Sequence, residues 1–128
     1  MQNDRFTRIR WLFGDDGFSK LQSAKVLVCG AGGVGGMCVD ALARSGVGSI
    51  TLIDKDIFDV TNQNRQIYSE NVGGVKVDEF AKIYPCITPM QTLITPEFVA
   101  GFDFSKFDVV IDAIDDITAK IALANAVD

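Results

Sequence analysis

The sequence predicts an α/β fold, a parallel sheet covered by helices on both faces, and three observations carry that prediction. Short β-branched apolar runs alternate along the chain with segments of helical periodicity. The first such run, VLVCG, stops at a glycine cluster that opens a helix. The 128 residues, 48% hydrophobic and 23% charged, amount to one globular domain or a part of one.

Residues 1–24 read as an N-terminal helical segment, and residues 25–128 as the sheet-bearing domain. Residues 26–30 form a buried strand, because a run of Val, Leu and Cys without polar alternation suits a strand covered on both faces. GAGGVGG follows, and Met37 to Ser45 then carries Val39, Leu42 and Ala43 on one helical stripe that Gly46 and Gly48 end. Ser49 to Ile53 is a second strand closing on Asp54, which completes a strand, helix, strand unit. Lys55 to Glu70 shows neither period and holds three asparagines, so it reads as a long functional loop. A helix from Val75 to Tyr84 is stopped by Pro85. Met90 to Ile94 reads as a third strand, Pro96 to Ala100 as a short helical turn, and Asp108 to Ile111 as a fourth strand. A final helix starts at Asp116, and the pattern runs to Asp128 without a cap, as in the N-terminal part of a larger domain.

Composition removes much of the enzyme repertoire. Histidine is absent, which excludes histidine-based nucleophile systems and histidine-ligated metals. Cys29, Cys38 and Cys86 form no CxxC pair; the first two read as packing residues and Cys86, beside Pro85, as a loop thiol. The net charge of −5 divides into +1 over residues 1–76 and −6 over residues 77–128, so neither half is a nucleic-acid patch. No apolar run is long enough for a membrane helix, and the polar start is no signal peptide, which predicts a cytoplasmic protein.

Gly30, Gly32 and Gly35 make the GxGxxG spacing between a strand and a helix, and Asp54 ends the next strand nineteen residues after Gly35. Glycines let the backbone approach a phosphate, the helix N-terminus supplies free N–H groups, and the carboxylate accepts from ribose hydroxyls. The context predicts a Rossmann-like nucleotide site rather than glycines serving helix packing alone. NAD is largely satisfied by backbone amides, whereas ATP needs cationic side chains and a metal. Arg65, among Asn62, Asn64 and Gln66, and Lys76 at the start of the next helix favour ATP. Asp112, Asp115 and Asp116 follow the fourth strand, where carboxylates without histidine suit Mg²⁺. Asp116 itself reads as a helix N-cap, and Arg5, Arg8 and Arg10 as a solvated helix face.

GAGGVGG, LIDKD, TNQNRQ, VGGVK and DAIDD, in this order and over nearly the whole chain, resemble the ubiquitin-activating-enzyme-like adenylation superfamily. The forms ALARSGVGSITLID and VTNQNRQIY are most similar to its tRNA threonylcarbamoyladenosine dehydratase family. The resemblance implies ATP- and Mg²⁺-dependent activation of a carboxylate, here cyclising dehydration of threonylcarbamoyladenosine in tRNA, by a homodimer. It implies that Gly30, Gly32, Gly33 and Gly35 form the nucleotide loop, with Gly32 and Gly33 lining the nucleotide. Asp54 and Asp56 follow that loop's neighbouring strand, with Asp54 on the ribose; Asn62, Arg65 and Lys76 address the phosphates; and Asp115 holds the metal. Arg8 then becomes an arginine finger reaching a partner subunit's site. Two alternatives stand beside this reading. One is an adenylyltransferase acting on the C-terminal glycine of a ubiquitin-like sulfur carrier, and the other is an NAD-dependent oxidoreductase. Members of the superfamily are commonly about twice this long, so the chain by itself is expected to lack part of the substrate-facing surface.

Overall fold

The computed structural model describes residues 3–127. Four parallel strands, β1 (Lys25–Cys29), β2 (Ser49–Ile53), β3 (Ile87–Met90) and β4 (Val109–Asp112), stand in the order β3-β2-β1-β4. Winding runs one way from β1 through β2 to β3, then returns to the other side of β1 for β4. The direction reverses between β1 and β4, and in such sheets ligands bind beyond the strands' carboxyl ends at that reversal.

Five helices surround the sheet: α1 (Thr7–Ser23), α2 (Gly33–Arg44), α3 (Lys76–Ile83), α4 (Pro96–Gly101) and α5 (Ile117–Ala126). Alternate residues of β1 point to opposite faces. Val26 and Val28 therefore join one core with Val39, Ile50, Leu52, Val77 and Phe80 beneath α2 and α3, while Leu27 and Cys29 join another with Ile53, Val99, Ala119 and Leu123 beneath α4 and α5. The continuous apolar character of VLVC follows from this double burial. Burial, followed by the charge of Asp112, pushes the Cys29 thiol up to about 12, so it behaves as a packing group. Burial also raises Cys38 and Cys86, and Cys86 packs against the first core just before β3.

Two element positions differ from the sequence expectation. The third strand is Ile87–Met90 rather than Met90–Ile94, because Ile87 is the residue that enters the core, opposite Ile50. Pro89 is tolerated because β3 is an edge strand. Residues 91–94 instead leave the sheet and line its carboxyl end. The second difference is α2, which begins at Gly33 rather than Met37, with Gly32 as its N-cap, so the glycine run forms the helix's first turn. Helix α1 is interrupted at Gly14 (φ +74°) and anchored by Phe18, which is buried and meets Phe6 at 5.5 Å between ring centroids.

Candidate functional site

Beyond the strand ends lies a cavity of about 300 Å³ that draws on all four crossings: Gly30 and Gly32 after β1, Asp54 to Asp56 after β2, Thr92 to Ile94 after β3, and Ala113 to Asp116 after β4. Gln66 and Lys76 complete it.

The glycine turn is shaped by close contact. Gly30 has φ +105°, and a Cβ there would lie 2.5 Å from the Ala113 carbonyl oxygen; a Cβ at Gly35 would lie 1.8 Å from the Gly30 carbonyl oxygen. These two positions need glycine for packing, while Gly32 faces the cavity. Gly33 and Gly35 stand outside the cavity lining, with Gly33 against the backbone of Arg65. Asp54 accepts from the Ala31 N–H (2.7 Å) on one carboxylate oxygen and from the Asp56 N–H (2.8 Å) on the other. The carboxylate thereby clamps the turn at the cavity edge. Asp56 is held by an ion pair with Lys55 at 3.1 Å, and its carbonyl receives the Lys76 N–H at 3.0 Å.

Lys76 is the least ordinary residue here. Only 5% exposed, it has no ion pair or hydrogen bond on its ammonium among the described residues, and its Nζ lies 5.6 Å from the Phe58 ring centroid. It also occupies the first position of α3, where the helix dipole is positive and a cation is disfavoured. A cation at the cavity wall added to a helix N-terminus forms a positive focus, and an anion satisfies both. The segment before it is fixed by reciprocal bonds between Phe58 and residues 73–74 and by the Ile57–Val75 bridge.

Gln66 had no assigned role in the sequence reading, although it lies within TNQNRQ. Its side chain is buried beside Gly32, and the side-chain amide oxygen Oε1 has no partner among the described residues. Periodicity carries no signal for such a residue; only the packing of the loop against the glycine turn shows it. Asn62 and Arg65, the residues expected to address the phosphates, make local hydrogen bonds within the loop. Asn62 closes a capping box with Asp59 around the 3₁₀ turn Val60–Asn62, and its carbonyl oxygen accepts the Asp59 N–H. The Arg65 guanidinium donates to the Thr61 carbonyl (3.1 Å) and to Asn64 (2.9 Å), and it lies outside the cavity lining. Both groups answer local hydrogen-bonding demands of the loop.

At the end of β4, Asp112 pairs with Lys120 at 2.9 Å, and beyond it Asp116 caps α5 by accepting the Ala119 N–H at 2.8 Å, as its position before the helix predicted. Asp115 is left at the cavity wall, exposed and without an ion pair among the described residues. No cluster of three acids suited to hold a metal occurs among the described residues. A single carboxylate still fits Mg²⁺ that arrives with a polyphosphate, since that ion keeps several waters and takes one or two carboxylates. Arg8 is exposed on α1 and outside the cavity. No helix among the described residues is long and apolar enough to cross a membrane.

Comparison with known proteins agrees with this geometry. The family model of the ThiF family matches residues 6–127. The chain is 39% identical to a tRNA threonylcarbamoyladenosine dehydratase of Haemophilus influenzae, over 93% of this chain and 49% of the relative. It is 36% identical to an adenylyltransferase and sulfurtransferase of Aspergillus terreus, over 88% of this chain and 25% of the relative. Among solved structures, that of the E. coli tRNA N6-threonylcarbamoyladenosine dehydratase in complex with ATP superposes with a TM-score of 0.86 at 39% identity, covering 93% of this chain and 52% of that one. The chain therefore spans about half the length of the dehydratases it matches.

Proposed function

Because the chain belongs to the ThiF family, we propose that its cavity binds ATP and that the protein containing it activates a carboxylate, cyclising threonylcarbamoyladenosine in tRNA with net loss of water. The observation that carries the nucleotide part is Lys76, a largely buried side chain whose ammonium, without an ion pair among the described residues, stands at a helix N-terminus on the cavity wall. The E. coli dehydratase that the chain resembles was crystallised with ATP, and its similarity carries the tRNA part.

In this reading Asp54 keeps the glycine turn in place while meeting a ribose hydroxyl, and Gln66 offers its free carbonyl oxygen to a ligand N–H or O–H. A carboxylate oxygen of the substrate attacks a phosphorus of ATP; an O–P bond forms as the bond to the departing phosphate group breaks. Charge grows on the leaving group, and Lys76 with the α3 N–H groups answers it. Arg65 joins by releasing Thr61 and Asn64, and Asn62 keeps its amide group for the same phosphates. Asp115 would hold Mg²⁺, which would neutralise phosphate charge. The activated carbonyl is then attacked from within the same nucleoside, closing the ring and expelling the phosphate-bearing group. We assign Arg8 to the partner's site in a homodimer working in the cytoplasm.

Mass spectrometry tests the substrate. Incubation of the active protein with ATP and threonylcarbamoyl-modified tRNA should give a nucleoside lighter by one water. An unchanged nucleoside, together with adenylation of a ubiquitin-like carrier, would favour the activity of the Aspergillus relative. Calorimetry with ATP and with NAD tests the site, and tight NAD binding without ATP binding would restore the oxidoreductase.

A further inference from the structure

Tyr68 has φ +60°, the one positive φ found on a residue other than glycine among the described residues. An aromatic side chain in the left-handed region is strained, and such a conformation persists only where surrounding contacts over-determine it. Those contacts are present. The Tyr68 ring meets Phe80 edge-on at 5.4 Å, and its hydroxyl donates to Asp40 at 2.7 Å. Asp40 also accepts from the Tyr84 hydroxyl at 2.5 Å and from Arg44 at 3.0 Å. The left-handed turn then returns the chain so that buried Ser69 donates its hydroxyl to the Gln66 carbonyl at 2.5 Å, and the Gln63 amide reaches the Ser69 carbonyl.

We propose that Tyr68, through its bond to Asp40, is a positioning residue that holds Gln66 in the nucleotide cavity. The anchor lies behind the loop, outside the cavity lining, and its effect passes through two covalent neighbours: Tyr68 fixes the turn, Ser69 clasps the Gln66 backbone, and the Gln66 side chain stays beside Gly32. The loop's own contribution on the other side is one bond, from the Gln66 N–H to the Asn62 carbonyl at 2.8 Å. Gln63, Asn64 and Arg65 before it are exposed. The inference rests on the ATP reading above.

The test is a double-mutant cycle read by calorimetry with ATP alongside thermal melting. Tyr68→Phe keeps the ring packing and removes only the hydroxyl. It should weaken ATP binding about 5- to 10-fold, the size of one or two lost hydrogen bonds. Added to Gln66→Ala it should cause almost no further loss, because both changes act through one group. Asp40→Asn should give the same loss of ATP affinity, beside a lower melting temperature, and again almost none when added to Gln66→Ala; it stands in if the tyrosine variant does not fold. A merely structural tyrosine would lower the melting temperature and leave ATP affinity unchanged, or its loss would multiply with that of Gln66→Ala; either result overturns the proposal. Failure of the unaltered chain to bind ATP would instead remove the nucleotide reading, and this inference with it.

Discussion

Lys76 sets function against stability within a single side chain. Its side chain is largely buried and carries its positive charge to the positive end of α3, beside the cavity, an arrangement that costs folding free energy. Lys76→Met keeps the length and apolar stem of the side chain. It should raise the unliganded melting temperature, by up to about 1 kcal/mol of stability, while weakening ATP binding about 10- to 100-fold, the range of a charge-assisted hydrogen bond. Calorimetry and melting of the same variant check both signs. Asp40 behaves oppositely. Burial pulls its carboxyl up, but hydrogen bonds from Tyr84, Tyr68 and Arg44 outweigh that and hold it below its ordinary value. A depressed folded value means a stabilisation that is complete above the unfolded value of about 4 and lost as pH falls through the folded one. Asp40→Asn should therefore be less stable than the parent at neutral pH, with the gap closing under acid; a gap independent of pH would refute the linkage. Lys76 could be read from the sequence because it opens a helix after VGGV. Gln66 could not, because its burial depends on contacts that Tyr68 and Ser69 create from behind the loop.

Among elements, the glycine turn between β1 and α2 has the tightest tolerance. Gly35→Ala would drive a methyl into the Gly30 carbonyl, a backbone contact that cannot yield without moving β1 or α2. A loss above about 3 kcal/mol is expected, of the order of severe overpacking. Gly101→Ala at the end of α4 meets nothing within 4 Å and should be neutral or stabilising by about 0.5 kcal/mol. Denaturant midpoints of the two variants decide between packing and simple backbone entropy. The glycine turn, β1, β2 and α3 were legible because apolar runs and glycines occupy the positions that burial on both faces demands. The register of β3 was not, since ITPM and MQTLI are equally plausible apolar strings. Pairing with β2 favours the string that sends Ile87 into the core and leaves Met90 beside Ile53 at the sheet's end. The start of α2 was missed for a related reason: glycines score poorly as helix formers, and contact with β1 and β4 overrides that preference.

For the whole molecule, ATP should act as a stabilising ligand, raising the melting temperature with concentration as mass action requires; no shift at saturating ATP would contradict the site. In the active protein, mixing Arg8→Ala with Asp115→Ala, each inactive alone, should recover some turnover, because one site of a mixed dimer would be complete. Proven subunit exchange without recovery would return Arg8 to the solvated face of α1. The sheet order has a further consequence, in time rather than in space. The central strand β1 comprises residues 25–29, yet its second neighbour, β4, begins at residue 109. On a chain emerging from its amino end, β1 and β2 can pair early, while the other edge of β1 stays open until more than half the sequence has followed. Contacts so distant along the chain close slowly, and an unfinished sheet exposes a strand edge that invites foreign pairing. A chain stopped after residue 107 should accordingly lack a cooperative melt and recruit chaperones, whereas one carried through α5, whose Ala119 and Leu123 complete the second core, should fold as a unit. The glycine turn waits for the same strand, because the carbonyl that packs on Gly30 belongs to Ala113; the nascent protein acquires its nucleotide cavity only once β4 has joined the sheet.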